Sequence, residues 1–189
     1  DSRGRYAVTE GAGETVFVRV RAELQRGGRP AWGLTVRDNT AGGALYVMDG
    51  ESATPEQQPQ RDLHAASGWT GFSYGDTRVA APFAILDTMY SAQNFVLAVD
   101  STVIFPQLRV NWSFLNNTAD GNLADGDIGS SFYFRNPGSE IYILGQQNDD
   151  TDEYDSHIVL HEWCHFFEDR IGRADSIGGP HFSDDVLDI

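Results

Sequence analysis

The chain has 189 residues, enough for one domain with a substantial hydrophobic core. Its formal net charge is −15, so its surface repels the phosphates of nucleic acids and of anionic lipids. We therefore expect no nucleic-acid partner. The acidity suits a cation-binding protein, although solubility alone also explains it. No apolar run reaches the length of a transmembrane helix, so we also expect no membrane insertion.

Three N-terminal segments alternate apolar and polar side chains, a pattern typical of half-buried β-strands. They are residues 15–24, 32–37 and 44–48. We expect them to form an antiparallel accessory unit within residues 1–50, separate from the rest of the chain. Residues 51–61 contain two prolines and almost no apolar side chain, which predicts a linker.

Residues 62–189 combine helix and strand patterns, so the predicted fold class is α+β. Residues 81–98 favour one helix with Pro82 in its first turn, where the missing N–H is tolerated. Its predicted buried side consists of Phe83, Leu86, Tyr90 and Leu97. Strands are predicted at 103–105 and 108–112, followed by a hairpin of 131–134 and 141–144 around Asn136-Pro137-Gly138.

The strongest chemical signal is the H-E-x-x-H pattern of His161, Glu162 and His165. Histidines four residues apart lie on one face of a helix, so both imidazoles can reach one zinc ion. The glutamate after the first histidine can then act as a general base toward water. A short pattern also occurs by chance, and the simpler interpretation is an amphipathic helix that binds no metal.

Neighbouring residues favour a helix at this position. Asp155 or Ser156 can cap its start, and Gly172 can stop it. An apolar stripe at helical spacing is formed by Leu160, Cys164, Phe167 and Ile171. Cys164 is the only cysteine, which excludes an internal disulfide, and we expect it to be a small buried apolar residue. We therefore predict one helix over residues 156–171.

A polar loop upstream of the hairpin offers oxygen ligands at short intervals. The candidate calcium ligands are Asp120, Asn122, Asp125 and Asp127. The loop lacks the spacing and the closing glutamate of an EF-hand, so a solvated turn is the competing interpretation.

The order of a helix, a small sheet and an H-E-x-x-H helix resembles the zincin metallopeptidases, over about residues 62–172. The segments 152–155, 161–170 and 175–181 further resemble a group of exported bacterial zinc proteins. This resemblance implies an extracytoplasmic or secreted location and a peptide or protein substrate. It also implies that His161 and His165 bind zinc and that Glu162 is the base. The substrate would pair with an edge strand, which we predict to be Ile141, Tyr142, Ile143 and Leu144.

The third metal ligand is left open by the sequence. Metzincins require a glycine and a histidine where this chain has Glu168 and Ile171, which excludes that class. A gluzincin-type glutamate would lie beyond Ile189, so we expect this chain to be a fragment that binds zinc weakly and hydrolyses peptides slowly or not at all. Candidates within the chain are His181, Glu168 and Asp169.

Zinc-dependent peptide hydrolysis is the leading functional hypothesis. The alternative is a binding or adhesion module on an inactive zincin scaffold. An intact Glu162 favours catalysis, because a binding-only site needs no base.

Overall fold

The structure is a computed structural model that describes residues 5–9, 11–135 and 138–172. In this part of the chain it has a mixed α+β fold, as predicted. The elements in chain order are β1 (Arg19–Arg21), β2 (Glu23–Arg26), β3 (Ala31–Asp38), β4 (Ala44–Leu45), β5 (Val47–Asp49), α1 (Ala81–Val99), β6 (Ile104–Trp112), β7 (Phe132–Phe134), β8 (Ser139–Ile143) and α2 (Ser156–Arg170). Within these ranges neither helix is both long and apolar enough to cross a membrane.

One mixed sheet organises the molecule. Its strand order is β2-β3-β6-β8-β7, with β4 paired to β3. The three central strands β3, β6 and β8 are parallel, whereas β2 and β7 run antiparallel to their neighbours. The predicted hairpin is confirmed, because β7 pairs with β8 in the register Phe132↔Tyr142. Strands β1 and β5 form a separate two-stranded sheet.

The prediction of a separate N-terminal β unit is wrong. The antiparallel pairings of β3 with β2 and β4 were expected, but β3 also pairs with β6 and so belongs to the same sheet as β8. Leu34 and Val36 of β3 are fully buried, which requires an interior position. The segment predicted as one strand over 15–24 is divided at the buried Ala22 between two sheets.

The predicted linker 51–61 packs on the molecule instead of separating two units. Arg61 donates hydrogen bonds of 2.6 Å to the carbonyl oxygens of Val16 and Ala53. A reciprocal pair of backbone hydrogen bonds joins Val16 to Ala53. An apolar-poor segment can therefore be fixed by hydrogen bonds to the backbone, which its composition does not reveal.

Both helices pack against one face of the sheet. Helix α1 contacts α2 and β3, and all three contribute to a single core with β6 and β8. The predicted bounds of α1 are confirmed to within one residue, with Pro82 in the first turn. Its buried side is rotated from the predicted one, since Tyr90 is exposed while Phe83 and Leu97 are only half-buried. The buried residues are Ala81, Pro82, Ile85, Leu86, Met89 and Gln93.

A buried ion pair connects the starts of the two helices. Arg78 and Glu153 are 3% and 1% exposed, and the Arg78 guanidinium donates to the Glu153 carboxylate and to the Gly145 carbonyl oxygen. The indole of Trp112 donates to the same carboxylate at 3.4 Å. Burial raises the pKa of Glu153, while the positive charge of Arg78 lowers it. The pair thus fixes the segment before α1 against the segment before α2.

We predict that Arg78→Met lowers the free energy of unfolding by about 3–5 kcal/mol, because it leaves the Glu153 carboxylate buried without its counter-charge. Urea unfolding followed by circular dichroism measures this loss. The double variant Arg78→Met/Glu153→Leu should recover much of it, since neither charge then remains. Arg19→Met is the matched control, because the Arg19–Asp49 pair is solvent-exposed, and it should change stability little. Equal losses from Arg78→Met and Arg19→Met would contradict the assignment.

Candidate active site

Helix α2 carries the histidine motif and begins at a side-chain cap. The Asp155 carboxylate accepts hydrogen bonds from the backbone N–H groups of His157 at 2.8 Å and Ile158 at 3.4 Å. The helix runs from Ser156 to Arg170, which confirms the prediction of one helix over 156–171 to within one residue. The cap therefore determines where the helix begins and how far along it the motif residues lie.

The buried face of α2 differs from the predicted stripe. The core-facing residues are Val159, Trp163 and Phe166, whereas Cys164 is exposed. The prediction that Cys164 is a buried apolar residue is therefore wrong. Each of these buried residues lies one position earlier in the sequence than a residue of the predicted stripe. Trp163 also stacks on Phe167, with 5.4 Å between the ring centroids. An indole has the larger apolar surface, so its burial determines the rotation of the helix.

The two histidines of the motif converge. The Nε2 atoms of His161 and His165 are 3.1 Å apart, and the ring centroids are 4.6 Å apart. Two nitrogens bound to one tetrahedral zinc at about 2.0–2.1 Å would be separated by roughly 3.3–3.4 Å. Imidazole nitrogens are donors that zinc commonly accepts, but the observed separation is slightly shorter than the zinc-bound value and is also that of a hydrogen bond between the two rings. His157, one turn earlier, is exposed.

Glu162 lies beside the histidine pair but is buried, with 6% of the residue exposed. Its carboxylate oxygen Oε1 is 4.0 Å from Nε2 of His161. Burial raises the pKa of Glu162 to about 7, the backbone N–H of Tyr133 lowers it, and the charge of Asp152 raises it. A carboxyl group with this pKa can accept a proton near neutral pH and release it again.

Asp152 and Ser131 form a polar group near Glu162 that the sequence did not indicate. At the level of the sequence, Asp152 is noted only within the segment 152–155, whereas the structure shows that it is buried. The Ser131 hydroxyl donates to Asp152 at 2.6 Å and accepts from the backbone N–H of Leu144 at 2.9 Å. Burial raises the pKa of Asp152, against the effect of the Ser131 hydrogen bond. The contacts join three chain segments that are distant in sequence, so no local pattern could reveal them.

The predicted substrate edge strand is wrong. Residues Ile141, Tyr142, Ile143 and Leu144 are all buried. Strand β8, which contains the first three of them, lies inside the sheet between β6 and β7. The strand at this edge of the sheet is β7, next to β8. Its central residue Tyr133 donates through its hydroxyl to Asp169 of α2 at 2.8 Å, and Arg135 contacts the same carboxylate at 2.8 Å.

The candidates for a third metal ligand have different positions. His181 lies outside the described residues. Glu168 is exposed on α2, and Asp169 is held by Tyr133 and Arg135. Among the residues that the structure describes, no three His, Cys, Asp or Glu side chains are grouped to hold a metal.

The candidate calcium loop is held together by its own amide groups. The side-chain amide of Asn117 donates to Asp127 at 3.0 Å, and that of Asn122 donates to Asp125 at 2.8 Å. Asp120 forms an isolated bridge with Ile128. These contacts account for much of the polar composition of the loop, and its described carboxylates are not gathered in a group of three.

Comparisons of the chain with protein-family models, with curated proteins and with solved structures found no match.

We predict that Glu162→Gln changes the pH dependence of stability in the chelator-treated chain. The folded-state pKa of about 7 lies above the ordinary value of 4.5, so folding keeps the proton on Glu162. The contribution of the protonated Glu162 carboxyl group to stability is therefore complete below about pH 4.5 and is lost as the pH rises to about 7. At pH 8 the glutamine variant should be more stable by on the order of 3 kcal/mol, at 1.36 kcal/mol per pKa unit.

Thermal and urea unfolding between pH 4.5 and 8 measure this difference. Glu168→Gln provides the control, because Glu168 is an exposed acid on the same helix and its removal should leave the pH profile nearly unchanged. A wild-type profile parallel to that of Glu162→Gln would exclude the buried carboxyl group as the cause.

Proposed function

We propose that this chain carries the metal-binding and catalytic part of a zinc-dependent peptidase. His161 and His165 bind the zinc ion, and Glu162 is the general base. The observation that supports this most directly is the 3.1 Å separation of the two Nε2 atoms beside a buried carboxyl group. The substrate is a peptide or protein in an extracytoplasmic setting, as the resemblance to exported zinc proteins implies.

The arrangement of elements supports a zincin-like fold. Helix α1 backs the sheet, α2 follows the last strand, and both pack on the same face. The edge strand β7 is antiparallel to β8 and contacts α2 through Tyr133 and Asp169. An extended peptide that paired with β7 would therefore lie next to the helix that carries the motif.

The zinc ion and Glu162 have different roles in the proposed reaction. When bound, a zinc ion supplies Lewis-acid polarisation of the scissile carbonyl and makes water more acidic. Glu162 accepts a proton from the attacking water and then donates it to the leaving amide nitrogen, for which a pKa near neutrality is suitable. Burial of Glu162 restricts the positions that its carboxylate can adopt and keeps it at the histidine pair.

The alternative proposal is a binding module on an inactive zincin scaffold. The exposed aromatic side chains of Trp69 and Phe72 favour a binding role. These residues and the catalytic motif lie on different chain segments, so both roles can occur in one molecule. The two proposals differ in whether Glu162 is required for a chemical step.

We predict that the hydrolysis of fluorescently labelled, denatured casein by this chain, which we expect to be slow, requires both metal and Glu162. Treatment with a chelator should abolish the activity, and zinc should restore it. Glu162→Gln should lower kcat by at least about 100-fold, because the proton acceptor is lost while the histidines remain. The exposed Glu168→Gln is the matched control. Persistence of hydrolysis in Glu162→Gln would contradict a general-base role.

We also predict that His161→Ala weakens zinc binding by at least about tenfold, as measured by calorimetric titration. His157→Ala is the control, since His157 lies on the same helix but outside the converging pair, and it should bind zinc like the wild type. His181→Ala distinguishes the candidates for the third ligand. A loss of binding assigns that role to His181, whereas unchanged weak binding favours a glutamate beyond Ile189.

A further inference from the structure

A short hairpin before α1 presents aromatic side chains to solvent. Trp69 and Tyr74 form an antiparallel bridge, and the turn between them is closed by Thr70 and Ser73. Thr70 donates to the Ser73 carbonyl oxygen from its backbone N–H at 2.9 Å and from its hydroxyl at 2.8 Å. Gly71 at the tip has φ of 100°, a conformation that glycine adopts at little cost. The hairpin is therefore a defined structure and not an extended loop.

The tip exposes more apolar surface than a solvated turn requires. Phe72 is 95% exposed and Trp69 is 53% exposed. Rigid aromatic side chains on a fixed turn are typical of contact surfaces, because they bury a large area while losing little conformational entropy. Polar residues at these positions would form the same turn, so the turn itself does not explain the exposed phenyl and indole rings.

A row of aromatic rings connects this hairpin to the motif helix. Trp69 contacts Tyr74 at 5.0 Å between centroids, and Tyr74 contacts Tyr154 at 5.1 Å. Tyr154 directly precedes the cap residue Asp155, and its hydroxyl donates to the Ser67 carbonyl oxygen at 2.8 Å. The row of rings therefore ends at the start of the helix that carries the histidines.

We propose that this hairpin docks an extended polypeptide, with Phe72 and Trp69 contacting its apolar side chains. The inference rests on the proposed function, because the docked chain is the peptidase substrate, held at a distance from the site of cleavage. The hairpin is an anchoring surface that is separate from the histidine pair and from the edge strand β7.

Charge defines the chemistry of the docked segment. Residues 65–75 contain no charged side chain in a chain of net charge −15. Of the nearest charged residues, Asp62 and Asp76 are exposed, Arg61 is half-buried, and Arg78 is buried against Glu153. The negative charge of the chain favours a segment in which basic residues accompany the apolar ones, and it opposes docking on anionic lipid. The preferred partner is therefore an unfolded basic polypeptide.

The test measures binding separately from cleavage. Fluorescently labelled lysozyme, reduced and carbamidomethylated, serves as an unfolded basic polypeptide, and anisotropy is recorded with Glu162→Gln protein in the presence of chelator. Adding Phe72→Ser should raise the dissociation constant by about fivefold or more, the loss expected of a contact hot spot. Phe95→Ser is the matched control, because Phe95 is a phenylalanine on α1 that is 78% exposed, and it should have no effect. Higher salt should weaken binding by the parent protein.

Together, the possible outcomes distinguish this inference from the proposed function. Equal binding by the Phe72→Ser and Phe95→Ser proteins, or no binding by the parent, overturns the docking role. If Phe72→Ser abolishes binding to phosphatidylcholine vesicles but not to lysozyme, the hairpin contacts membranes and the proposal is wrong. If docking depends on Phe72 but Glu162→Gln does not slow cleavage, the hairpin assignment stands and the peptidase assignment fails. In an active protein, Phe72→Ser should raise KM and leave kcat unchanged.

Discussion

The ion pair between Arg78 and Glu153 is the constraint on which the placement of the candidate site depends. Both side chains are removed from water, so their separation would leave a costly buried charge. Arg78 precedes α1, Glu153 precedes the cap of α2, and the Gly145 carbonyl oxygen belongs to the segment after β8. One guanidinium therefore fixes the entry to both helices relative to the central strands. Because the motif lies in the second and third turns of α2, the position of that helix start determines where the histidines and Glu162 lie.

Local patterns predicted the parts of this molecule whose geometry is local. The spacing of His161 and His165 implies convergence as soon as the segment is helical, and the Asp155 cap and the β7–β8 pairing involve residues close in sequence. The pairing of strands, in contrast, is not determined by a local pattern. A period of two predicts a strand and its buried face, but it does not identify the neighbours in a sheet. The sequence therefore gave no reason to insert β3 beside β6, or to place β8 inside the sheet and β7 at its edge.

The errors on the helices have a related origin. The predicted buried faces of α1 and α2 were each displaced by about one residue, because several apolar stripes can be drawn through the same sequence. Packing against the sheet selects one of them: on α2 the buried stripe contains Trp163 and Phe166, whereas on α1 it contains Ile85 and Met89 and leaves Tyr90 exposed. This selection also turns Glu162 toward the interior and leaves His161 largely in solvent. The same helix rotation thus gives the carboxylate its raised pKa and gives the imidazoles access to an ion.

The shortness of β7 has a consequence for solubility. An exposed sheet edge is a template on which other chains can aggregate, and the hazard grows with the length and apolar character of the strand. Strand β7 has three residues, two of them phenylalanines, and Arg135 follows directly. At the opposite edge, β2 is Glu-Leu-Gln-Arg, with one apolar residue. Each edge can therefore pair with a single short peptide, but neither offers a continuous surface along which many copies of a highly acidic chain would stack into fibrils.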